Sequence, residues 1–225
     1  MLLYNIFLKA FEDEEWIDVR YCFQSHLTAS EALPSLRVMS IGGGPGTEIS
    51  GLFWANRKFL RFKKRKSQIY VTLLDFEKTW KFYTKTIGDL LGEPFDVSFG
   101  RCDITKEIIL PEETETDFSK FVNIGLFKGI GNTNLFLFSY VTHETSTLAA
   151  VDDFIFYRNI VNHAIHGSVC IFADVMIHSV EVYGTVYRVM KEEGLRCNRE
   201  VSRLVIPSNH DLRSEVMILL IKHVE

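Results

Sequence analysis

Five short apolar runs, at residues 36–41, 69–74, 95–99, 134–139 and 168–173, constrain the folding of this 225-residue chain more than any other feature. Each is rich in β-branched or aromatic residues and shows little polar alternation, the pattern of a strand buried on both faces. Helical-looking segments separate most of them, so the runs predict a mostly parallel sheet covered by helices on both sides. Residues 199–206 and 215–223 are two further strand candidates. The connection between them, 207–214, is too short for a crossover helix, which needs about a dozen residues, so this pair is expected to form an antiparallel hairpin. The expected fold class is α/β, a seven-stranded sheet closed by that hairpin.

With 47% hydrophobic and 24% charged residues the chain has enough apolar material for one core and is not disordered. A single domain over residues 1–225 is expected at this length. The net charge of −4 excludes a basic footprint over the whole molecule, leaving only a local patch for nucleic acid. Cys22, Cys102, Cys170 and Cys197 stand far apart, without a Cys-x-x-Cys pair or zinc-like spacing. They read as reduced thiols of an intracellular protein, with Cys170 a plain core residue. No metal is expected, since His163, His166 and His178 are scattered polar positions. The apolar start of the chain lacks a basic leading region and a cleavage site, and no stretch of ~18 uncharged apolar residues exists. A soluble protein of the cytoplasm or nucleus, with no membrane partner, is the expectation.

The first run leads into Ile41-Gly42-Gly43-Gly44-Pro45-Gly46 and then into a helical pattern from Thr47 to about Lys64. Glycines at such a turn let the backbone approach a ligand, while the helix start presents unpaired N–H groups and the positive end of its dipole. Thr47 is placed to cap this helix, and Glu48 suits its first turn. Four glycines and a proline within five residues exceed what a plain turn needs. A phosphate-binding P-loop requires Gly-Lys-Ser/Thr, whereas Gly46 is followed by Thr47 and Glu48. The dinucleotide fingerprint requires Gly-x-Gly-x-x-Gly, but the spacing here is Gly42, Gly44, Gly46, and an acid at 48 sits poorly beside a pyrophosphate.

The segment 41–46 resembles motif I of the class I S-adenosylmethionine-dependent methyltransferases, Gly-x-Gly-x-Gly after the first strand. The resemblance extends over residues 36–224 in the order of elements. The terminal hairpin is similar to the sixth and seventh strands that set this family apart from dinucleotide-binding folds. It implies a Rossmann-like methyltransferase core over 36–225, preceded by a helical segment 1–35. It also implies S-adenosylmethionine as cofactor, leaving as S-adenosylhomocysteine, with Gly42, Gly43, Gly44 and Gly46 against it. The family's usual acid two positions before the first glycine is Ser40 here, and Glu48 is expected to compensate at the methionine end.

A nucleoside cofactor needs acceptors for its ribose hydroxyls and exocyclic amine. Asp75, at the end of the second run, is placed to accept from the ribose diol, with Glu77 as fallback and a helix cap as the plain alternative. By resemblance, Asp103 accepts from the adenine amine while Phe76, Cys102 and Ile104 contact the ring; starting a turn is the other role open to Asp103. After the fourth run, Ser139 and Tyr140 are expected beside the transferable methyl, with His143 and Glu144 close behind. This stretch is not the Asn/Asp-Pro-Pro-Tyr motif of amino-group methylation on bases, and it has no cysteine nucleophile for pyrimidine carbon-5 chemistry. Transfer from a sulfonium needs mainly alignment and exclusion of water. His143 is the candidate base where an acceptor must first lose a proton, against the alternative of a structural histidine. Asp174 is a candidate residue at the rim.

Residues 4–33 read as helical, with Phe7, Phe11, Trp16 and Val19 at roughly helical spacing. The segment is expected to cap the domain or cover the cofactor site, or else to be an ordinary packing helix. Residues 111–118 read as an acidic loop and 118–127 as a short helix. The tract 57–66 holds seven basic residues in ten, interleaved with Phe59, Leu60 and Phe62. It reads as an RNA-contacting patch, a nuclear-import peptide or a solvated helix end. The first helix carries it roughly 20 Å from the glycine turn, too far to line a methyl site. The expected activity is methyl transfer from S-adenosylmethionine, with RNA the first acceptor and a small molecule the second. A catalytically silent sensor or scaffold subunit that binds the cofactor is the alternative.

Overall fold

The five apolar runs and the two further candidates all form strands, and those at the centre of the sheet are buried on both faces. The structure, a computed structural model, describes residues 2–17, 35–60, 67–106, 129–150, 153–206 and 214–224, together with Arg20, Ile108, Asn123 and Leu126. The strands are β1 (Ser35–Ile41), β2 (Gln68–Asp75), β3 (Phe95–Arg101), β4 (Leu135–Ser139), β5 (Ser168–Val175), β6 (Arg199–Ile206) and β7 (Ser214–His223). They make one sheet in the order β3-β2-β1-β4-β5-β7-β6. The first five are parallel, and β7 inserts antiparallel between β5 and β6. The terminal hairpin and the mostly parallel sheet are as the sequence predicts.

β4 shows how the pattern works. Leu135 and Leu137 point to one face of the sheet, Phe136 and Phe138 to the other, and all four are buried. On the first face lie α1 (Leu2–Glu12) and α2 (Ile49–Ala55). On the second lie α4 (Ile155–His163) and α5 (Met176–Arg196). A further helix, α3 (Lys81–Leu91), packs beside the β3 edge.

α1 crosses α2 at Gly51, where an added Cβ would stand 2.8 Å from the Tyr4 backbone nitrogen. Its buried residues Leu3, Ile6 and Phe7 therefore cover the first sheet face and do not roof the strand ends. The expected helix over 4–33 is α1 plus a short 3-10 turn at Glu14–Trp16, and residues 21–33 lie outside the described residues. So do the expected acidic loop 111–118 and most of the short helix 118–127.

β1 pairs on one side with β2 and on the other with β4, so the connections leave β1 and β4 in opposite directions. In an open α/β sheet this switch point leaves a crevice at the carboxyl ends of the strands. Among the described residues no helix is long and apolar enough to cross a membrane.

Candidate functional site

The glycine turn after β1 is a set of tight packing contacts with one open position. Gly42 has φ +68, and a Cβ there would fall 2.6 Å from the Val141 Cβ, so its bare backbone lets the chain after β4 come close. Gly44 has φ +48, yet the nearest atoms to a Cβ on it would be those of Trp80, at 3.7 Å, an ordinary contact. That positive φ favours glycine whatever the space around it. Gly43 and Gly46 are bare for packing: a side chain would strike Ser40 and Glu48 in the first case and Leu73 in the second.

Thr47 does not cap the helix. Its carbonyl accepts from Ser50, while α2 starts at Ile49 after successive tight turns through Gly46 and Glu48. Helical structure runs from Ile49 to Ala55 in α2 and continues as a π-helical turn over Asn56–Leu60; the rest of the expected helix, to Lys64, lies outside the described residues.

Two carboxylates flank this turn. Asp75 ends β2; its Oδ2 accepts from the Gly44 amide at 3.0 Å and its Oδ1 from the Glu77 amide at 2.8 Å. It thus ties the glycine turn to the neighbouring strand, and a carboxylate retains acceptor capacity beyond two hydrogen bonds. Glu77 turns away and accepts from the Thr79 amide. Glu48 accepts from the Ser40 hydroxyl beneath Gly43. Burial pushes its carboxyl above the ordinary value, the Ser40 hydrogen bond opposes that rise, and the Asp75 charge adds to it.

A cleft of about 450 Å³ opens beside the turn. Gly42, Asp75, Phe76, Cys102, Asp103 and Ile104 line one part of it. Phe76 is 59% exposed, and the Arg101 guanidinium lies 5.0 Å from its ring centroid, holding the ring by cation–π attraction. Cys102 is buried, which pushes its thiol well above the ordinary range and keeps it neutral. Asp103 is already occupied in part: its Oδ1 accepts from the Thr105 amide at 3.0 Å and hydroxyl at 2.6 Å, the turn-starting role. Asn123, which sequence reasoning missed, pins this loop by accepting from the Asp103 amide and donating to the Asp103 and Lys106 carbonyls.

The opposite wall comes from the chain after β4. Tyr140, Val141 and Glu144 line it. Tyr140 has φ +56, a left-handed backbone rare outside glycine, and is pinned by its amide on the Ala173 carbonyl at 2.8 Å. Eight of the site residues expected from sequence therefore share one cleft: Gly42, Asp75, Phe76, Cys102, Asp103, Ile104, Tyr140 and Glu144. Ser139 lies within β4 immediately before Tyr140, and Glu48 lies behind the turn with Ser40. His143 is held at the edge by Asp174. That aspartate is not a rim residue as expected but is 0% exposed at the end of β5, because it bonds both the ring and the main chain of His143.

Among the described residues no group of His, Cys, Asp and Glu could hold a metal ion. His166 instead accepts from the His223 amide, and the two rings stack. Of the basic tract, Arg57 lies over Phe53 and Trp54, and Lys58 pairs with Glu12 at 3.0 Å on an exposed face; residues 61–66 lie outside the described residues.

No protein-family model matches the chain, and no curated protein matches it in sequence. Solved structures do resemble it. The DszA carbon methyltransferase superposes with a TM-score of 0.52 at 10% identity, over 92% of this chain and 53% of that one. A structure from Listeria monocytogenes described as a class I S-adenosylmethionine-dependent methyltransferase gives a TM-score of 0.52 at 10% identity, over 93% of this chain and 59% of that one. The chain thus spans little more than half the length of these structures. With the strand order and the inserted antiparallel β7, they show that it has the Rossmann-like fold of class I methyltransferases.

Proposed function

We propose that the chain binds S-adenosylmethionine in the cleft at the ends of β1, β2 and β3 and catalyses transfer of its methyl group. The observation that carries this reading is the joining of Asp75 to the Gly44 amide at the cleft wall. It brings a carboxylate acceptor to a glycine turn at the switch point, where ligands of open α/β sheets bind.

The residues present suit the cofactor part by part. Asp75 takes the ribose hydroxyls. Asp103 takes the adenine amine with the oxygen opposite its turn, and Phe76, Cys102 and Ile104 supply apolar contact to the ring. Gly42, Gly43, Gly44 and Gly46 let the backbone lie against the methionine end, where Glu48, held by Ser40, offers the acid that the strand lacks. Ser139, Tyr140 and Glu144 face the position of the methyl group, with His143 next to them. The bound sulfonium supplies an activated methyl, so the chain has chiefly to orient the acceptor and keep water out. RNA is the first acceptor to test, because of the tract 57–66, and small molecules are the second.

Calorimetric titration of the full chain with S-adenosylmethionine, S-adenosylhomocysteine and NADH tests the reading. Binding of the first two without NADH is expected; heat from neither would remove the assignment. Incubation with methyl-labelled cofactor and RNA, protein or metabolite pools then finds the acceptor. Tight binding with label passing to no pool would favour a sensor or scaffold subunit.

A further inference from the structure

α3 carries two apolar faces, and the sheet uses only one of them. Thr84, Ile87 and Leu91 turn inward, with Gly88 against Val97 of β3. That spacing is the stripe of an ordinary packing helix. On the outer side Phe82 is 81% exposed, Leu90 79% and Tyr83 54%. With Thr86 between them, these side chains fill an arc of about 100°, as wide as a helix face that packs on a core. Single exposed apolar residues are ordinary, but three on one arc of an 11-residue helix form a patch.

The charge beside this patch has one sign. Between Glu77 and Asp89 the chain carries three lysines and no acid, although its net charge is −4. Lys78, Lys81 and Lys85 are all exposed. Lys78 and Lys81 stand at the helix start, where the first turn holds no acid and the helix dipole disfavours cations, so their placement does not serve the helix itself. The face also begins at the cleft: Asp75 and Phe76 of the cleft wall lead into α3, and Trp80 is the side chain nearest the open position at Gly44.

We propose that α3 lies on an anionic lipid bilayer, with Phe82, Tyr83 and Leu90 at the boundary of headgroups and acyl chains and Lys78, Lys81 and Lys85 against acidic headgroups. The mouth of the cleft is thereby held at the membrane surface. Such a helix lies in the plane of the bilayer and does not span it. Burial of the rings and the leucine supplies affinity, while the lysine stems cover apolar surface and keep their charged ends in water. Two other occupants fit less well. A second copy docked by a twofold through the same face would set lysines against lysines, with no acid between 78 and 88 to receive them. RNA would engage the lysines and stack on the rings, but it gives the aliphatic Leu90 no partner. The proposal does not depend on the cofactor reading above.

Flotation of the full chain with vesicles of phosphatidylcholine, alone or with phosphatidylserine added, tests it. Binding to the anionic vesicles and not to the neutral ones is expected, weakening as salt rises. Phe82→Ser and Leu90→Ser together should weaken it about tenfold or more. Lys78→Gln, Lys81→Gln and Lys85→Gln together should weaken it about 100-fold. All five positions are exposed, so thermal melts should place both variants within about 2 °C of the natural chain. Calorimetry with S-adenosylmethionine runs alongside: vesicle binding without cofactor binding would defeat the reading of the cleft and leave this one standing. Failure to bind anionic vesicles, or binding that either variant retains in full, would overturn the proposal. So would a dimer, or RNA binding, that is lost in the serine variant while vesicles stay unbound, since the face would then belong to a second copy or to nucleic acid.

Discussion

The Ser40 hydroxyl donates to the Glu48 carboxylate beneath Gly43, so an acid reaches the end of β1 from the start of the following helix. Burial is the main reason its carboxyl titrates above the ordinary 4.5. An acid whose folded value lies above its unfolded one favours folding while protonated. That contribution is present below about pH 4.5 and declines as pH rises through the folded value. Glu48→Gln keeps an acceptor for Ser40 and removes the buried charge. Thermal melts should show the variant more stable than the natural chain at pH 7, with the difference vanishing near pH 4. The same variant should bind S-adenosylmethionine about tenfold or more weakly, for loss of a charged hydrogen bond of about 1.5–3 kcal/mol. Affinity for methylthioadenosine, which lacks the amino and carboxyl groups of the methionine end, should not change.

Gly42 and Gly44 share a positive φ and differ in what surrounds them. Alanine at either position pays the left-handed cost of about 1–2 kcal/mol. Only at position 42 does the new methyl also strike Val141, at 2.6 Å. Gly42→Ala should therefore be less stable than Gly44→Ala by about 1–3 kcal/mol in urea denaturation. Gly44→Val should keep its fold and lose cofactor binding, since the side chain occupies the approach to the turn; equal stability of the two alanine variants would contradict the packing account.

The central strands were legible here because both faces of the sheet are covered there, so that stretches such as 135–138 are wholly apolar. Their ends were not, since the closing residues Asp75 and Asp174 are polar and look like loop. Asp174 is read as a surface residue until its partner is known, and that partner lies 31 positions away. The Asn123–Asp103 clamp has the same character, a bond across 20 positions with no local pattern. The glycine turn, by contrast, is local: its spacing sets it apart from a dinucleotide fingerprint, and Thr47 and Glu48 after Gly46 set it apart from a P-loop. What sequence could not tell is that only Gly44 among its glycines leaves room above the backbone.

Phe76 separates binding from stability. Its ring is mostly exposed and its one described aromatic contact is the Arg101 guanidinium, an interaction of about 0.5–1 kcal/mol at an exposed site. Phe76→Ala should shift the melting temperature little yet weaken S-adenosylmethionine binding several-fold in calorimetry, as a lost stacking surface would. Asp75→Ala should abolish binding and also lower stability by about 1–2 kcal/mol, because the Gly44 and Glu77 amides lose their acceptor.

If the tract 57–66 holds RNA, its cations act through phosphate contacts and the binding must depend on salt. Replacing Lys63, Lys64, Arg65 and Lys66 with glutamine should weaken RNA binding and flatten its salt dependence in filter-binding assays. Unchanged affinity would leave the small-molecule acceptor as the favoured one.

Arg158 is the buried cation on which the second layer of helices turns. It is 6% exposed on α4, bonds Asp153 at 2.6 Å and Glu192 of α5 at 3.1 Å, and donates through Nε to the Asp153 carbonyl. Asp153 and Phe154 both have positive φ, +52 and +56, so this bond secures a strained turn directly before α4. The pairs with Asp153 and Glu192, 69% and 46% exposed, should contribute little, whereas Glu193, 14% exposed at 3.6 Å, is left more costly without its cation. The larger penalty is the stranded carbonyls and the emptied volume. Arg158→Ala should lower unfolding free energy by about 2–4 kcal/mol, and Arg158→Met, which refills the volume, should recover part of it. A loss below about 0.5 kcal/mol in urea denaturation would mean the arginine is an ordinary surface pair and does not hold the turn.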